Sequence, residues 1–187
     1  MISQFFKSVI HLLYKKKQSK KFFIDGVFIN KVLESPNEDF YPIIEPLTHY
    51  IDTWAGEKEY KKSLKKFTKS QMYLWAIFCY QGEVYNGEHS QYFSNPAGAS
   101  WREALEGIDK LTLEKELGFL DEAVKRFKTP PSVGQQERNK ELNDLHDEGI
   151  NFSDLDTDFY KINSNDITQK RCLDYIRRHK EEFYFRN

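Results

Sequence analysis

The sequence predicts an all-α protein, a single-domain helical bundle around a central apolar helix. Apolar residues recur at three- and four-residue spacing through most of the 187-residue chain, and this is the period of helices with one buried face. Residues 72–80 are apolar on nearly all sides, which is typical of a helix in the middle of a core. An aromatic content of 16% is too high for a disordered chain.

The first 21 residues combine an apolar run, residues 1–14, with a lysine cluster that follows it. A secretory signal would place the positive charge first and end in small residues, and this segment does neither. We predict a first helix that packs on the core, with contact to an anionic membrane as the less favoured alternative. Residues 22–32 are ambiguous, and a short strand pair around Asp25 and Gly26 is an alternative there.

Two helices are predicted next, followed by a loop. The apolar spacing of residues 40–54 indicates a helix with Trp54 on its buried face and a stop at Gly56. A longer helix is predicted from residue 59 to about residue 85, with a basic first half and the central apolar run in its second half. The turn signals at residues 86–87 and 95–98 predict a loop over that stretch.

The remaining helices are bounded by caps and prolines. Ser100 is the predicted N-cap of a helix from Trp101, and a further helix from about residue 112 must end before the proline pair at 130–131. Residues 135–166 are polar and carry a net charge of −6, with scattered apolar anchors. A last helix is predicted over residues 168–183.

The compartment is indicated by the two cysteines, Cys79 and Cys172, which are far apart in the sequence. A chain of this length does not need a disulfide to fold, so we predict two reduced thiols and a cytoplasmic protein.

The formal net charge of −1 conceals an uneven distribution. Residues 1–70 contain 13 Lys or Arg against 8 Asp or Glu, whereas residues 71–187 contain 15 against 21. The total excludes a protein that coats nucleic acid by bulk charge, and it excludes a uniformly acidic imitation of DNA. We divide the chain into a basic N-terminal region, residues 1–58, and a helical domain, residues 59–187.

One stretch carries a recognisable motif, Glu83-Val84-Tyr85-Asn86-Gly87-Glu88-His89-Ser90-Gln91-Tyr92-Phe93-Ser94-Asn95-Pro96-Ala97-Gly98. It resembles the pattern Glu-Val-x-Asn-Gly-Gly-Phe-x-Gln-Phe-Phe-x-Asn-x-x-Gly of the domain-of-unknown-function 4375 family, which includes a bacterial DNA-mimic protein. The resemblance extends over about residues 71–183. Glu88 and His89 depart from the pattern, which has Gly and Phe at these two positions.

The motif has a physical interpretation that does not depend on the resemblance. Asn86-Gly87 permits a chain reversal after the central helix, and the amides of Gln91 and Asn95 can bond to loop backbone. We therefore interpret the motif as a structural corner, made of Glu83, Asn86, Gly87, Gln91, Phe93, Asn95 and Gly98. The alternative is an acid–base or small-ligand site in the polar corner from Glu83 to Asn95, made of Glu83, Glu88, His89, Gln91 and Asn95.

No cofactor and no metal is expected, because the sequence lacks a nucleophile elbow, a glycine-rich phosphate loop and paired metal-ligand spacing. What the resemblance implies is a non-enzymatic regulator or inhibitor that binds a basic protein in place of DNA. An immunity-type protein that neutralises a toxin is an alternative. Direct nucleic-acid binding is not the expected function, and binding of nucleic acid or a membrane by the basic N-terminal region is a further alternative. The oligomeric state stays open, a dimer included. The candidate partner-binding residues are Asp144, Asp147, Glu148, Asp154, Asp156 and Asp158.

Overall fold

The structure is a computed structural model that describes residues 21–36, 39–162 and 165–187. Over these residues the protein is helical, which confirms the predicted class. The α-helices are α1 (Gly26–Leu33), α2 (Tyr41–Tyr50), α3 (Glu57–Leu64), α4 (Lys69–Ser94), α5 (Trp101–Lys110), α6 (Glu114–Lys125), α7 (Gln135–Asp147), α8 (Ser153–Ile162) and α9 (Asn165–Arg178). Two short 3-10 helices span Pro96–Ser100 and Lys180–Phe183. The helix predicted for residues 1–14 lies outside the described residues.

The core forms around α4, as the apolar run predicts. This helix packs against α2, α5, α7 and α8, and its residues Leu74, Trp75 and Tyr80 are buried. Thr68 begins the helix with a capping box, because its hydroxyl accepts the Gln71 backbone N–H while the Gln71 side chain accepts the Thr68 N–H.

The two ends of the described chain meet in the only sheet found among these residues. Strand β1 (Phe23–Ile24) pairs antiparallel with β2 (Phe185–Arg186), with Phe23 opposite Arg186. A strand pair around Asp25 and Gly26 therefore does not form. Asp25 instead caps α1, since its carboxylate accepts the Phe28 N–H at 2.8 Å. Local turn signals carry no information about a partner strand at the other end of the chain.

Several helix bounds differ from the predicted ones. The helix predicted over residues 40–54 ends at Tyr50, so Trp54 is 58% exposed instead of buried. The helix predicted over residues 59–85 is two helices, because the Thr68 cap begins a new one. Gly56 precedes α3 as its N-cap. The last long helix, α9, ends at Arg178, before the predicted end.

The loop predicted between Asn86 and Gly98 is mostly helical, because α4 continues past a break to Ser94. Ser100 makes no capping bond to α5; its hydroxyl donates to the Ala97 carbonyl at 2.7 Å. Both cysteines are buried free thiols, and burial raises the pKa of each. Such thiols are unreactive at neutral pH.

Candidate functional site

The α4 corner, residues 83–98, contains a break in the central helix. Gly87 has φ −168° and ψ 38°, and Glu88 has φ 69° and ψ 176°. The Glu88 backbone lies in a region that is populated almost entirely by glycine. The chain of this protein therefore holds a strained residue at the point where the resembled pattern has Gly.

Helix α8 contacts the break with two side chains that lie one turn apart. The Asp156 carboxylate accepts the His89 backbone N–H at 3.0 Å. The Tyr160 hydroxyl donates to the Val84 carbonyl at 2.8 Å. Val84 and Glu88 are the pair that an unbroken helix would bond directly. The Tyr160 hydroxyl thus donates to the Val84 carbonyl in place of the Glu88 N–H. A side chain inserted in this way is a known cause of helix kinks.

The His89 side chain is fully buried, and its ring lies between the Asp156 carboxylate and the Tyr80 hydroxyl. Its Nδ1 lies 2.5 Å from Asp156 Oδ1, and its Nε2 lies 2.9 Å from the Tyr80 hydroxyl. Because a carboxylate only accepts, Nδ1 carries a proton, and in the neutral ring Nε2 accepts from Tyr80. Phe152 and Phe159 pack around the imidazole. The histidine does have a carboxylate beside it, but that carboxylate is Asp156 instead of Glu83, and the ring has no face toward solvent.

Glu83 holds the motif amides together. Its buried carboxylate accepts from Gln91 Nε2 at 2.7 Å and from Asn95 Nδ2 at 2.8 Å. Asn86 Nδ2 in turn donates to Gln91 Oε1 at 3.1 Å. The amides therefore bond to a side chain instead of to loop backbone as the sequence suggests. These bonds join the half of α4 before the break to the half after it.

The other motif residues are set by close packing. A Cβ at Gly87 would lie 2.0 Å from the Gln91 Oε1 atom, and a Cβ at Gly98 would lie 2.5 Å from the Tyr92 carbonyl oxygen. Phe93 is fully buried against Phe127 and Phe152. The corner is filled by its own side chains.

Arg138 is a buried cation that sequence reasoning missed. Its guanidinium donates to four backbone carbonyls, two of which, those of Phe93 in the last turn of α4 and of its C-cap Asn95, lie at 2.6 Å each. The other two belong to Ser132 and Val133, at 2.8 Å each. Burial lowers the pKa of Arg138 to about 10. An arginine in a polar segment carries no sequence signal of burial, so only the packing reveals it.

The structure separates the six predicted acidic residues. Asp144, Asp147 and Glu148 are exposed at the C-terminal end of α7, at a spacing that places them on one face. Asp154 and Asp158 are exposed one turn apart on α8. Asp156 is only 4% exposed because α8 turns this side toward the core, so its assignment to a binding surface is wrong. We call the other five residues the acidic surface.

Three carboxylates of the acidic surface have cations nearby. Arg126 binds both oxygens of Asp154, at 2.7 and 2.6 Å, and this hydrogen bonding holds the pKa of Asp154 well below its ordinary value. Glu148 pairs with Lys128, and Asp158 pairs with Lys161 at 2.9 Å. Asp144 and Asp147 have no cationic group within ion-pair distance in the described part of the chain.

Residues 21–36, 39–162 and 165–187 contain no group of three or more His, Cys, Asp or Glu side chains that could hold a metal ion. None of their helices is long and apolar enough to cross a membrane.

These features define an all-α protein built on a broken central helix, with a filled polar corner and an exposed acidic surface. The chain belongs to the family of DMP19-like proteins, whose family model matches residues 65–179. The matched region begins just before α4 and includes the corner, α7 and α8. No curated protein and no solved structure matches the chain.

Proposed function

We propose that this protein is a non-enzymatic inhibitor that binds a basic, nucleic-acid-binding protein through its acidic surface, in the place where that partner binds DNA. The observation that carries the proposal is the exposure of Asp144, Asp147 and Glu148 at the end of α7 and of Asp154 and Asp158 on α8. Membership of the DMP19-like family supports it, as does the resemblance to a family that includes a DNA mimic.

Electrostatics supplies the mechanism. Carboxylates three or four residues apart on a helix lie about 5–6 Å from one another, so they form a row of negative charges. A DNA-binding surface attracts such a row as it attracts phosphates. The exposed pairs with Lys128 and Lys161 contribute little to stability, so an incoming Arg or Lys can replace either cation.

The acid–base alternative at the α4 corner receives no support from its geometry. Glu83 and His89 are both fully buried, and both are hydrogen-bonded to other side chains of the fold. A substrate would have to displace these side chains to reach either group.

Competition against DNA tests the proposal. The intact chain is used to isolate binding proteins from native lysate, and duplex DNA is then added as the competitor. We expect a captured protein that the duplex releases and that rising salt weakens. The variant D144N/D147N/E148Q/D158N should capture at least tenfold less of it.

A matched variant controls for total charge. D109N/E114Q/D121N/E181Q removes four exposed carboxylates from other parts of the surface and should capture the partner as well as the unmodified chain does. Equal capture by both variants would refute the role of the acidic surface. A partner that duplex DNA fails to release would refute DNA mimicry.

A further inference from the structure

A row of exposed lysines runs along α3, through the turn that follows it and to the first residue of α4. We call it the lysine face; its members are Lys58, Lys61, Lys62, Lys65, Lys66 and Lys69. Four of them are spaced three and four residues apart, which places them on one side of the helix. These four are Lys58, Lys61, Lys62 and Lys65. Within residues 57–69 only Glu57 and Glu59 oppose them, so the segment has a net charge of +4.

The opposite side of α3 is anchored, which keeps the lysines turned outward. The hydroxyl of buried Tyr60 donates to Glu103 on α5 at 2.8 Å. The Ser63 hydroxyl donates to the Tyr60 carbonyl and accepts the Asp52 backbone N–H at 3.0 Å. Phe67, just after the helix, is also buried. Rotation of α3 about its axis would break the bond from Tyr60 to Glu103 and the bond from the Asp52 N–H to Ser63.

Two of the six members of the lysine face have a carboxylate nearby, because Lys61 pairs with Glu57 at 2.6 Å and Lys62 lies 3.5 Å from Glu59. The other four, Lys58, Lys65, Lys66 and Lys69, have no carboxylate within ion-pair distance among the described residues. Their charges are available to a polyanion.

An exposed indole, that of Trp54, lies four residues before the first of these lysines in the sequence. Trp54 precedes α3 in the turn that leads into it and is 58% exposed, whereas Trp75 and Trp101 are buried. Indole rings exposed beside lysines are the combination with which proteins bind unpaired bases, because the ring stacks on a base while the cations contact the phosphates.

We propose that the lysine face, together with Trp54, binds single-stranded nucleic acid. A duplex fits less well because its bases are stacked on one another and cannot stack on an indole. The near-zero charge of the whole chain argues only against bulk coating and does not apply to one local face. This site is separate from the acidic surface and does not depend on the proposed function.

Binding of a labelled oligo-dT of about 20 nucleotides to the intact chain tests the proposal, measured by fluorescence anisotropy at several salt concentrations. We expect K58Q/K65Q/K69Q to bind at least tenfold more weakly, with a log–log salt slope smaller by about 2, since each lost phosphate contact removes about 0.7. K115Q/K125Q/K140Q removes the same charge from other helices, and K15Q/K16Q/K17Q removes it from the N-terminal cluster. Both control variants should weaken oligo-dT binding less than K58Q/K65Q/K69Q does.

Tryptophan fluorescence reports on stacking. Because the other two indoles are buried, oligo-dT should quench mainly the Trp54 emission, and W54A should remove that quenching and weaken binding about fivefold or more. Equal affinities of the three lysine variants would overturn the proposal. Binding of duplex DNA as tight as that of oligo-dT, with no quenching, would overturn the single-strand assignment. A third outcome would also overturn the proposal. If the chain does not bind oligo-dT but self-associates, and if both K58Q/K65Q/K69Q and D144N/D147N abolish that self-association, the lysine face binds a second copy of the chain.

Discussion

The α4 corner and the acidic surface use the same kinds of side chain in opposite ways. In the corner Glu83 and His89 are fully buried, as is Arg138 of α7, which donates to the Phe93 and Asn95 carbonyls of the corner. Each of the three is hydrogen-bonded to other groups of the fold. On the acidic surface Asp144 and Asp147 are exposed and have no cationic group within ion-pair distance in the described ranges. A buried polar group without its partner is costly, whereas an exposed carboxylate is solvated at no cost.

The difference separates residues that build the fold from residues that are available to a partner. Substitutions in the corner should therefore change stability, and substitutions on the acidic surface should change binding. The following substitutions test this separation.

The largest loss of stability is expected for Arg138→Met. Methionine fills part of the space but leaves four carbonyls without a donor, which we expect to lower the free energy of unfolding by about 3–5 kcal/mol. Urea denaturation measures this loss. Arg171→Met, at an exposed arginine of α9, is the control and should cost less than about 0.5 kcal/mol. Equal effects would mean that Arg138 does not hold the end of α4.

His89→Phe restores the residue of the resembled pattern but should destabilise this protein by about 2–4 kcal/mol, because it leaves the buried Asp156 carboxylate without the imidazole. A double-mutant cycle with Asp156→Asn measures the coupling. The two substitutions together should cost about 1–3 kcal/mol less than the sum of the single ones. Additive costs would show that the two side chains do not depend on each other.

Tyr160→Phe removes the hydroxyl that bridges the break, and we expect a loss of about 1 kcal/mol in urea denaturation. Amide hydrogen exchange should become faster at residues 88 and 89. Tyr184→Phe, at another exposed tyrosine, removes a hydroxyl at a distance from the break and should leave this exchange unchanged.

Glu88→Gly should stabilise the protein by about 1 kcal/mol, since glycine adopts the positive φ of this position without strain. The melting temperature is the measurement. Lys115→Gly, inside the first turns of α6, should lower it instead, because glycine costs about 1 kcal/mol in a helix. A lower melting temperature for both variants would contradict the inference that the Glu88 backbone is strained.

The smallest effect on stability is expected from D144N/D147N. Both side chains are exposed, so the free energy of unfolding should change by less than about 0.5 kcal/mol in the same urea assay. A loss of 2 kcal/mol or more would place these residues in the structural class and would remove the contrast between the two regions.

The sequence predicted the helical class and the central helix around residues 72–80, because both follow from the local spacing of apolar residues. The turn signals at Asn86 and Gly87 predicted a loop where α4 continues to Ser94. Contacts between distant segments were not predictable. The β1–β2 pairing, the Tyr160 bridge and the carbonyl contacts of Arg138 each join residues that only the folded chain brings together.

The division of the acidic segment shows where the limit lies. The sequence by itself determined the charge of residues 135–166 and the helical period that separates Asp156 from Asp154 and Asp158, because residues two apart on a helix point to different sides. Only the tertiary structure decided which side faces inward. The broken helix supplies a backbone N–H and an imidazole for Asp156, so this carboxylate is buried with partners while its neighbours stay in water.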